Sequence, residues 1–474
     1  MEGEQKTQVK KFTQGYTFKI LMLILLVLLL LIPLTMIRGL INERSRTAAF
    51  AEAGIMEAWG SELVAVGPVL AIPGIRTEAI RTRSDRDGET VEFVNRPFTL
   101  IIAPQQLNID ANFGTEIRRR GIFSVPLFYG DLVFSGNFNP AAALSSLQPN
   151  EEVLLNQAEL IIALSSQKGI RRIDNAVWNC QATGNGHNLF FQPGNRGFSI
   201  TRTVTSIGTV RAPSRAAGTG SGIHAALPDF TNAESDFNIA IAIQGGQLVR
   251  FLPMGQDTHV VISSDWASPS FQGSFLPGSS NITASGFDAV WNISYLSRDI
   301  PLFWKTDGSD IVHRDYSTSL FGVNFFRAID TYSLNTRAVK YAILFLIVPF
   351  LTLFLFEISS KKRIHPVSYL LSGIANVIFY LLLLSLSEQM SFFLAYLIAA
   401  FAVAALLTLY SRSLLPSWNK SWFMGVVVTI SYVLLYAVLN AESYALLIGS
   451  IVAFVVVALV MFLTRKLNWY GSEE

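Results

Sequence analysis

Six apolar runs stand out from an otherwise mixed chain: Phe18–Ile37, Tyr341–Phe356, Val367–Leu386, Phe392–Tyr410, Trp422–Leu439 and Tyr444–Leu463. Crossing a bilayer as a helix takes about 20 such residues. A helix also bonds every backbone N–H and C=O within the segment, so each run predicts a transmembrane helix. Lys6, Lys10, Lys11 and Lys19 flank the first run as they would a signal peptide. That run is longer than a signal core of roughly 7–15 residues, and Met36, Ile37 and Arg38 follow it without a small-x-small site, so it predicts an uncleaved anchor.

Between the first and second runs the pattern changes. Gly39–Gly60 is rich in Ala, Glu and Arg and predicts a helical stalk continuing the first span. Beyond it come short β-prone runs broken by Gly, Pro and Asn: Leu63–Ile72, Val91–Ile102, Phe123–Phe138, Glu159–Leu164, Phe198–Val210, His259–Ser263 and Phe287–Tyr295. Phe237–Ile243 and Leu248–Leu252 flank Gly245-Gly246 and read as a hairpin. Ala212–Gly222, dense in Gly and Ser, reads as a loop dividing the segment into two lobes. The expected fold is a membrane α-helical bundle of six transmembrane helices plus a large β-rich, sandwich-like domain. Its expected parts are a tail at 1–17, a first span at 18–37, the β-rich domain at 38–338, a five-helix membrane region at 339–464 and a tail at 465–474.

The placement of charge orients this chain. Lys361, Lys362 and Arg363 lie between the second and third runs, Arg412 and Lys420 between the fourth and fifth, and Arg465 and Lys466 after the sixth. The alternate connectors, Ser387–Ser391 and Asn440–Ser443, hold no Lys or Arg but one glutamate each, Glu388 and Glu442. The positive-inside rule then predicts cytoplasmic termini and an external middle segment. Tyr410, Trp418, Trp422, Trp469 and Tyr470 suit headgroup level at the inner boundary.

The 474 residues are 51% hydrophobic and 15% charged, with 36 Lys+Arg against 34 Asp+Glu. An ordinary soluble domain carries about a quarter charged residues. The balanced charge makes no case for a nucleic-acid partner, and the bilayer is the partner the composition does imply. The single cysteine, Cys180, excludes an intramolecular disulfide framework; it reads as a small buried residue, with an intermolecular bond or a reactive thiol as the alternative.

Candidate chemistry is sparse. His187, His224, His259, His313 and His365 form no HExxH and no zinc spacing, and there is no GxSxG elbow and no Walker loop. The expectation is therefore a protein that is not an enzyme and has no cofactor. Polar residues near the membrane carry more weight, being costly there. Asn376, at mid-depth in the third run, is expected to bond across to another helix, with a transport role as the alternative. Glu357 is expected to pair locally with Lys361. His365-Pro366 opens the third span, where Pro removes no needed donor. Glu388 and Glu442 are read as solvated external charges, or else as acids gathering a cation or a basic partner. No buried Asp–Arg or Glu–Lys relay is legible in any span. Ala395, Ala399, Ala402, Ala405, Gly425 and Gly449 suit close helix packing, and Pro349 predicts a kink.

Several ordered stretches are similar to one family. They are Leu31-Ile-Pro-Leu-Thr-Met-Ile-Arg38 with Glu43-Arg44, Val66-Gly-Pro-Val-Leu-Ala-Ile-Pro73, Ser270-Phe-Gln-Gly-Ser-Phe-Leu-Pro277 and Thr336-Arg-Ala-Val-Lys-Tyr-Ala-Ile-Leu344. Phe354-Leu-Phe-Glu357, Arg363-Ile-His-Pro366 with Tyr369-Leu-Leu371, and Phe379-Tyr-Leu-Leu-Leu-Leu384 with Leu386-Ser-Glu388 follow. The last are Phe462-Leu-Thr-Arg465 and Trp469-Tyr470. In order and in polar anchors (Arg38, Lys340, Glu357, His365, Glu388) the chain resembles the CreD family of bacterial inner-membrane proteins. The resemblance is weakest over residues 75–235. It implies a role in cell-envelope integrity, colicin tolerance, stress response and β-lactam response, and it carries over no catalytic residue or ligand. It leaves an envelope protein or cell-wall component as the partner of a periplasmic domain, with a transporter or channel subunit as the rival reading.

Overall fold

The computed structural model describes residues 16–60, 62–84, 88–181, 186–194, 196, 221–227, 230–306, 316–325, 331–360, 363–415, 417–441 and 445–465. Phe198–Val210, most of Ala212–Gly222, Lys361, Lys362, His313 and Glu442 lie outside them. The chain forms two compact units, one of residues 1–49 with 329–474 and one of residues 50–328.

The first unit is helical: α1 (Tyr16–Trp59, whose last residues belong to the second unit), α2 (Thr331–Ser360), α3 (Pro366–Ser387), α4 (Phe392–Leu414), α5 (Trp418–Asn440) and α6 (Ala445–Thr464). Among the described residues α1 to α5 are long and apolar enough to cross a membrane. α6, 20 residues long, coincides with the sixth apolar run. The unit's core takes side chains from α1 to α5, including Ile41, Ala342, Phe379, Ala399 and Leu435. Large apolar residues also cover its outside, with Leu25 66% and Phe401 73% exposed. So extensive an apolar surface needs lipid around it.

With tails as apolar as the side chains, helices associate in lipid through close packing and hydrogen bonds. Gly373 shows the first: a β-carbon there would run into Leu30 and Phe350. At Gly425 the space is taken by Thr408. Ala395 and Ala399 are fully buried as expected, but Ala402, at i+7 from Ala395 and at the edge of the buried face, is exposed. Pro349 lies inside α2, which continues to Ser360.

In the second unit, α1 ends at Gly60, whose φ of 138° is open to glycine but strained for other residues. Gln244 Nε2 donates to the Trp59 carbonyl at 2.7 Å, satisfying one of the acceptors a helix end leaves bare. Two sheets follow. One runs in the order Ser270–Gly273, Phe321–Asn324, Leu248–Leu252, Leu63–Ser84, Glu159–Leu164, Gly222–Ala226 and Gln192–Pro193, with Gly88–Ile102 and Glu151–Val153 also on Leu63–Ser84. The other runs Ser279–Thr283, Gly286–Ser294, Asp257–Ser264, Gln106–Arg120, Phe123–Phe138, Ser235–Gly245, Ile170–Cys180 and Gly186–Asn188. One buried core draws on both, so the unit is sandwich-like. Rings bridge the layers: Trp291 of the second sheet packs on Phe271 and Phe321 of the first, with centroids 5.7 Å apart in each pair. Trp291 Nε1 donates to the Phe275 carbonyl at 3.1 Å.

Three sequence expectations are corrected here. Phe237–Ile243 and Leu248–Leu252 are strands but not a hairpin. The first lies between Phe123–Phe138 and Ile170–Cys180, the second between Leu63–Ser84 and Phe321–Asn324, so the chain changes sheets at Gly245-Gly246. A Gly-Gly pair permits a sharp turn but carries no information about which edges are already occupied. Nor does residue 212–222 separate two lobes: strands before and after it interleave in both sheets. Finally, some strands outrun the expected short segments, and Leu63–Ser84 passes through Pro73-Gly74. Gly74 faces Phe98 across the ladder, and the Phe98 ring fills the place of its missing side chain. Gly114 and Tyr129, and Gly245 and Phe128, repeat the arrangement, so these glycines seat cross-strand aromatics where they look like strand breaks.

Candidate functional site

Of the five expected site residues, the four that are described, His365, Glu357, Asn376 and Glu388, lie on or against one helix, α3, at three levels. Its N-terminus is built locally. His365 is the N-cap, its Nδ1 accepting from the Val367 amide at 3.3 Å, and Pro366 occupies the first turn. One turn on, Tyr369 points into the bundle and its hydroxyl donates to Glu357 Oε2 of α2 at 2.8 Å. Glu357 is 7% exposed and forms an ion pair with Lys19 of α1. An ion pair between helices, with its acid buried and Lys19 partly exposed, therefore exists where a local pair with Lys361, outside the described residues, was expected. It was hidden because Lys19 reads as one more flanking lysine and its partner is more than three hundred positions away in sequence. Lys420 of α5 donates to Ser360 Oγ of α2 at 2.5 Å.

Asn376 forms the middle level. Its Oδ1 accepts from the Tyr432 hydroxyl of α5 at 2.9 Å, while its Nδ2 donates to the Ser372 carbonyl at 3.3 Å. The Tyr432 carbonyl in turn accepts from the Tyr396 hydroxyl of α4 at 2.6 Å. Phe379 packs on Tyr432 with ring centroids 4.5 Å apart. One side chain, Asn376, thus ties α3 to α5, and α5 to α4 follows through a backbone carbonyl. Each of these polar groups is satisfied, as burial demands.

At the C-terminal end of α3, Ser387 Oγ accepts from Asn335 Nδ2 of α2 at 2.9 Å. Glu388 caps the helix. Its Oε1 accepts from the Tyr332 hydroxyl at 3.1 Å and lies 3.9 Å from Arg44 Nε. With its side chain 12% exposed, Glu388 is not the freely solvated loop charge expected of it. Arg44, Tyr332 and Asn335 were missed for the reason Lys19 was: nothing local marks them, and only the fold brings them to residue 388.

The C-terminal level does not join the other two, between which Ser368 and Ser372 are also buried. Tyr369 and Asn376 are seven residues apart, about 10 Å along a helix, and Asn376 and Ser387 eleven, about 16 Å. Between the latter two, α3 buries Val377, Phe379, Tyr380, Leu383 and Leu384, of which Tyr380 alone has a polar atom. Proton or ion relay needs groups within hydrogen-bond reach of one another, about 3 Å. The middle level, moreover, is an amide with two phenols, none of them charged near neutral pH. This arrangement clamps helices at three heights. Among the described residues no group of three His, Cys, Asp or Glu side chains is placed to hold a metal.

Comparison with known proteins agrees with both units being present together. The family model described as inner membrane protein CreD matches residues 15–470. Inner membrane protein CreD of Escherichia coli (strain K12) is 30% identical over 443 residues, covering 93% of this chain and 91% of that protein. A match across the apolar helices and the two sheets alike assigns the whole chain, which belongs to the CreD family of inner membrane proteins.

Proposed function

We propose that this multipass inner-membrane protein supports cell-envelope integrity and the response to envelope stress by binding rather than by catalysis. In this reading six helices cross the membrane, α6 being the sixth, and both termini are cytoplasmic. The β unit is periplasmic and binds an envelope protein or cell-wall component, while the bundle anchors it. The alternation of Lys- and Arg-bearing connectors supports the orientation. The observation that supports anchoring over transport is the separation of the middle polar level on α3 from the C-terminal one by Val377, Phe379, Leu383 and Leu384.

The test has two arms. A reporter fused near residue 200 is expected to behave as external, and cytosolic behaviour would overturn the threading. Cells lacking the protein are expected to survive detergent or colicin challenge differently from cells carrying it, and identical survival would remove the envelope role. Solute flux through proteoliposomes of the full chain, lost on Asn376→Leu or Glu388→Gln, would favour the rival reading of a transporter or channel subunit.

A further inference from the structure

The outward face of the second sheet concentrates residues that strands usually avoid. Asn and Asp are depleted from strands because their short polar side chains compete with the ladder. Yet outward positions of three adjacent strands carry Gln106, Asn108, Asp257, His259, Asn292 and Ser294. Register puts Asn108, His259 and Asn292 in one row across the strands, and Gln106, Asp257 and Ser294 in the next. The polar rows continue across the sheet through Asn137 and Asn238. Elsewhere on both sheets outward positions take charged residues tied in ion pairs, such as Arg96 with Glu78 on the first and Arg118 with Glu116 on the second. A local rule broken repeatedly on one face, with no gain in packing, marks a surface kept for something other than folding.

The six side chains line a cleft of about 480 Å³. His259 Nδ1 donates to Asn292 Oδ1 at 2.6 Å. With Nδ1 as the donor, that bond leaves the Asn292 amide hydrogens and His259 Nε2 free of one another, a donor beside an acceptor in the cleft lining. Asn108 and Gln106 offer the same pairing, and Ser294 a hydroxyl. A sugar hydroxyl is both donor and acceptor, and a carboxamide, which offers both, matches it without the cost of desolvating a charge. The spacing also suits: strands lie about 4.8 Å apart and alternate residues about 7 Å apart along them, the scale of a pyranose ring. Among the described residues the lining has one carboxylate, Asp257, and no Lys or Arg to draw a phosphorylated or carboxylated ligand.

We infer that this cleft binds a neutral glycan chain laid across the strands. The inference rests on the reading of the β unit as the binding part, and it names the surface and the ligand chemistry. The test uses the full chain in nanodiscs with chitotetraose or maltotetraose as probe, followed by saturation-transfer NMR. Transfer to at least one tetrasaccharide is expected, weakened tenfold or more in the double variant Asn108→Thr, Asn292→Thr. Because Thr is the better strand former, the variant should melt at or above the wild-type temperature, which excludes misfolding as the cause. No transfer to either sugar, or transfer unchanged in the variant, overturns the inference. Failure here is distinguishable from failure of the envelope role, since the challenge assay involves no added sugar and the NMR experiment no cell.

Discussion

The two units are built inside out with respect to each other. In the β unit the core is Phe, Trp, Ile, Leu and Val, and most outward strand positions are polar. In the helical unit the outside is Leu, Phe and Ile, while Ser372, Asn376, Ser411, Ser421 and Glu357 are buried. The difference follows from solvent. Water rewards burying apolar area by about 25 cal/mol per Å², so the sandwich is held by its greasy core. Lipid gives no such reward, so the bundle relies on tight contacts and on polar groups that have no better partner than one another.

That contrast can be broken experimentally, and the largest effect should lie in the β core. Trp291→Ala empties the site between the sheets and should cost about 3–5 kcal/mol, read as a lower melting temperature of the β unit. Glu357→Ala in the bundle leaves Lys19 and the Tyr369 hydroxyl without their acid. Losing one member of a buried pair costs about 3–5 kcal/mol, and partial exposure of Lys19 puts this case at the low end or below. Unfolding of the reconstituted protein measures it, and Lys19→Met with Glu357→Leu should recover most of the loss.

A third prediction concerns Glu151, which no sequence pattern singled out. Desolvation pushes its carboxyl up, but bonds from the Gln148 amide, Lys305 and Arg76 outweigh that and hold it at about 2. The unfolded carboxyl titrates near 4.3. A depressed folded value means that the stabilisation is complete above the unfolded pKa and drains away as pH falls from there through about 2. Melting of the wild type should therefore drop by several degrees from pH 7 to pH 3, with a smaller drop in Glu151→Gln. Equal drops would show that other carboxylates dominate.

Tyr432→Phe sharpens the comparison on the membrane side, since it removes the bond to Asn376 and little else. Interhelical bonds in membranes average about 0.6 and reach about 1.7 kcal/mol, and a loss in that range is expected. Phe401→Leu on the exposed face of α4 should change stability by less than about 0.5 kcal/mol, lipid replacing lipid-like contacts.

The first five helices, and much of the strand pattern, were legible because each depends on residues close together in sequence. Phe123–Phe138 and Glu159–Leu164 match their predicted bounds for that reason. Ile170–Cys180 and Gln106–Arg120 were not read as strands, since Asn and Asp are poor strand formers, although Gln106–Phe113 alternates strictly. Of the candidate site, Asn376 and Glu357 could be picked out by cost alone: a polar group in an apolar run demands a partner. Which partner could not be known, because Tyr432 is 56 residues away from Asn376 and Glu388 meets Arg44 only in the fold.

Composition and periodicity by themselves determined that this chain lives in a membrane, carries a β-rich segment between its first two apolar runs and lacks the short motifs of catalysis. These properties are local sums, and summing needs no three-dimensional information. Tertiary structure alone decided that the chain changes sheets at Gly245-Gly246, that α3 holds the bundle at three heights, and that six polar side chains from three strands share one cleft. Such features are choices among partners of similar local chemistry, and only the free energy of the whole packed chain makes them.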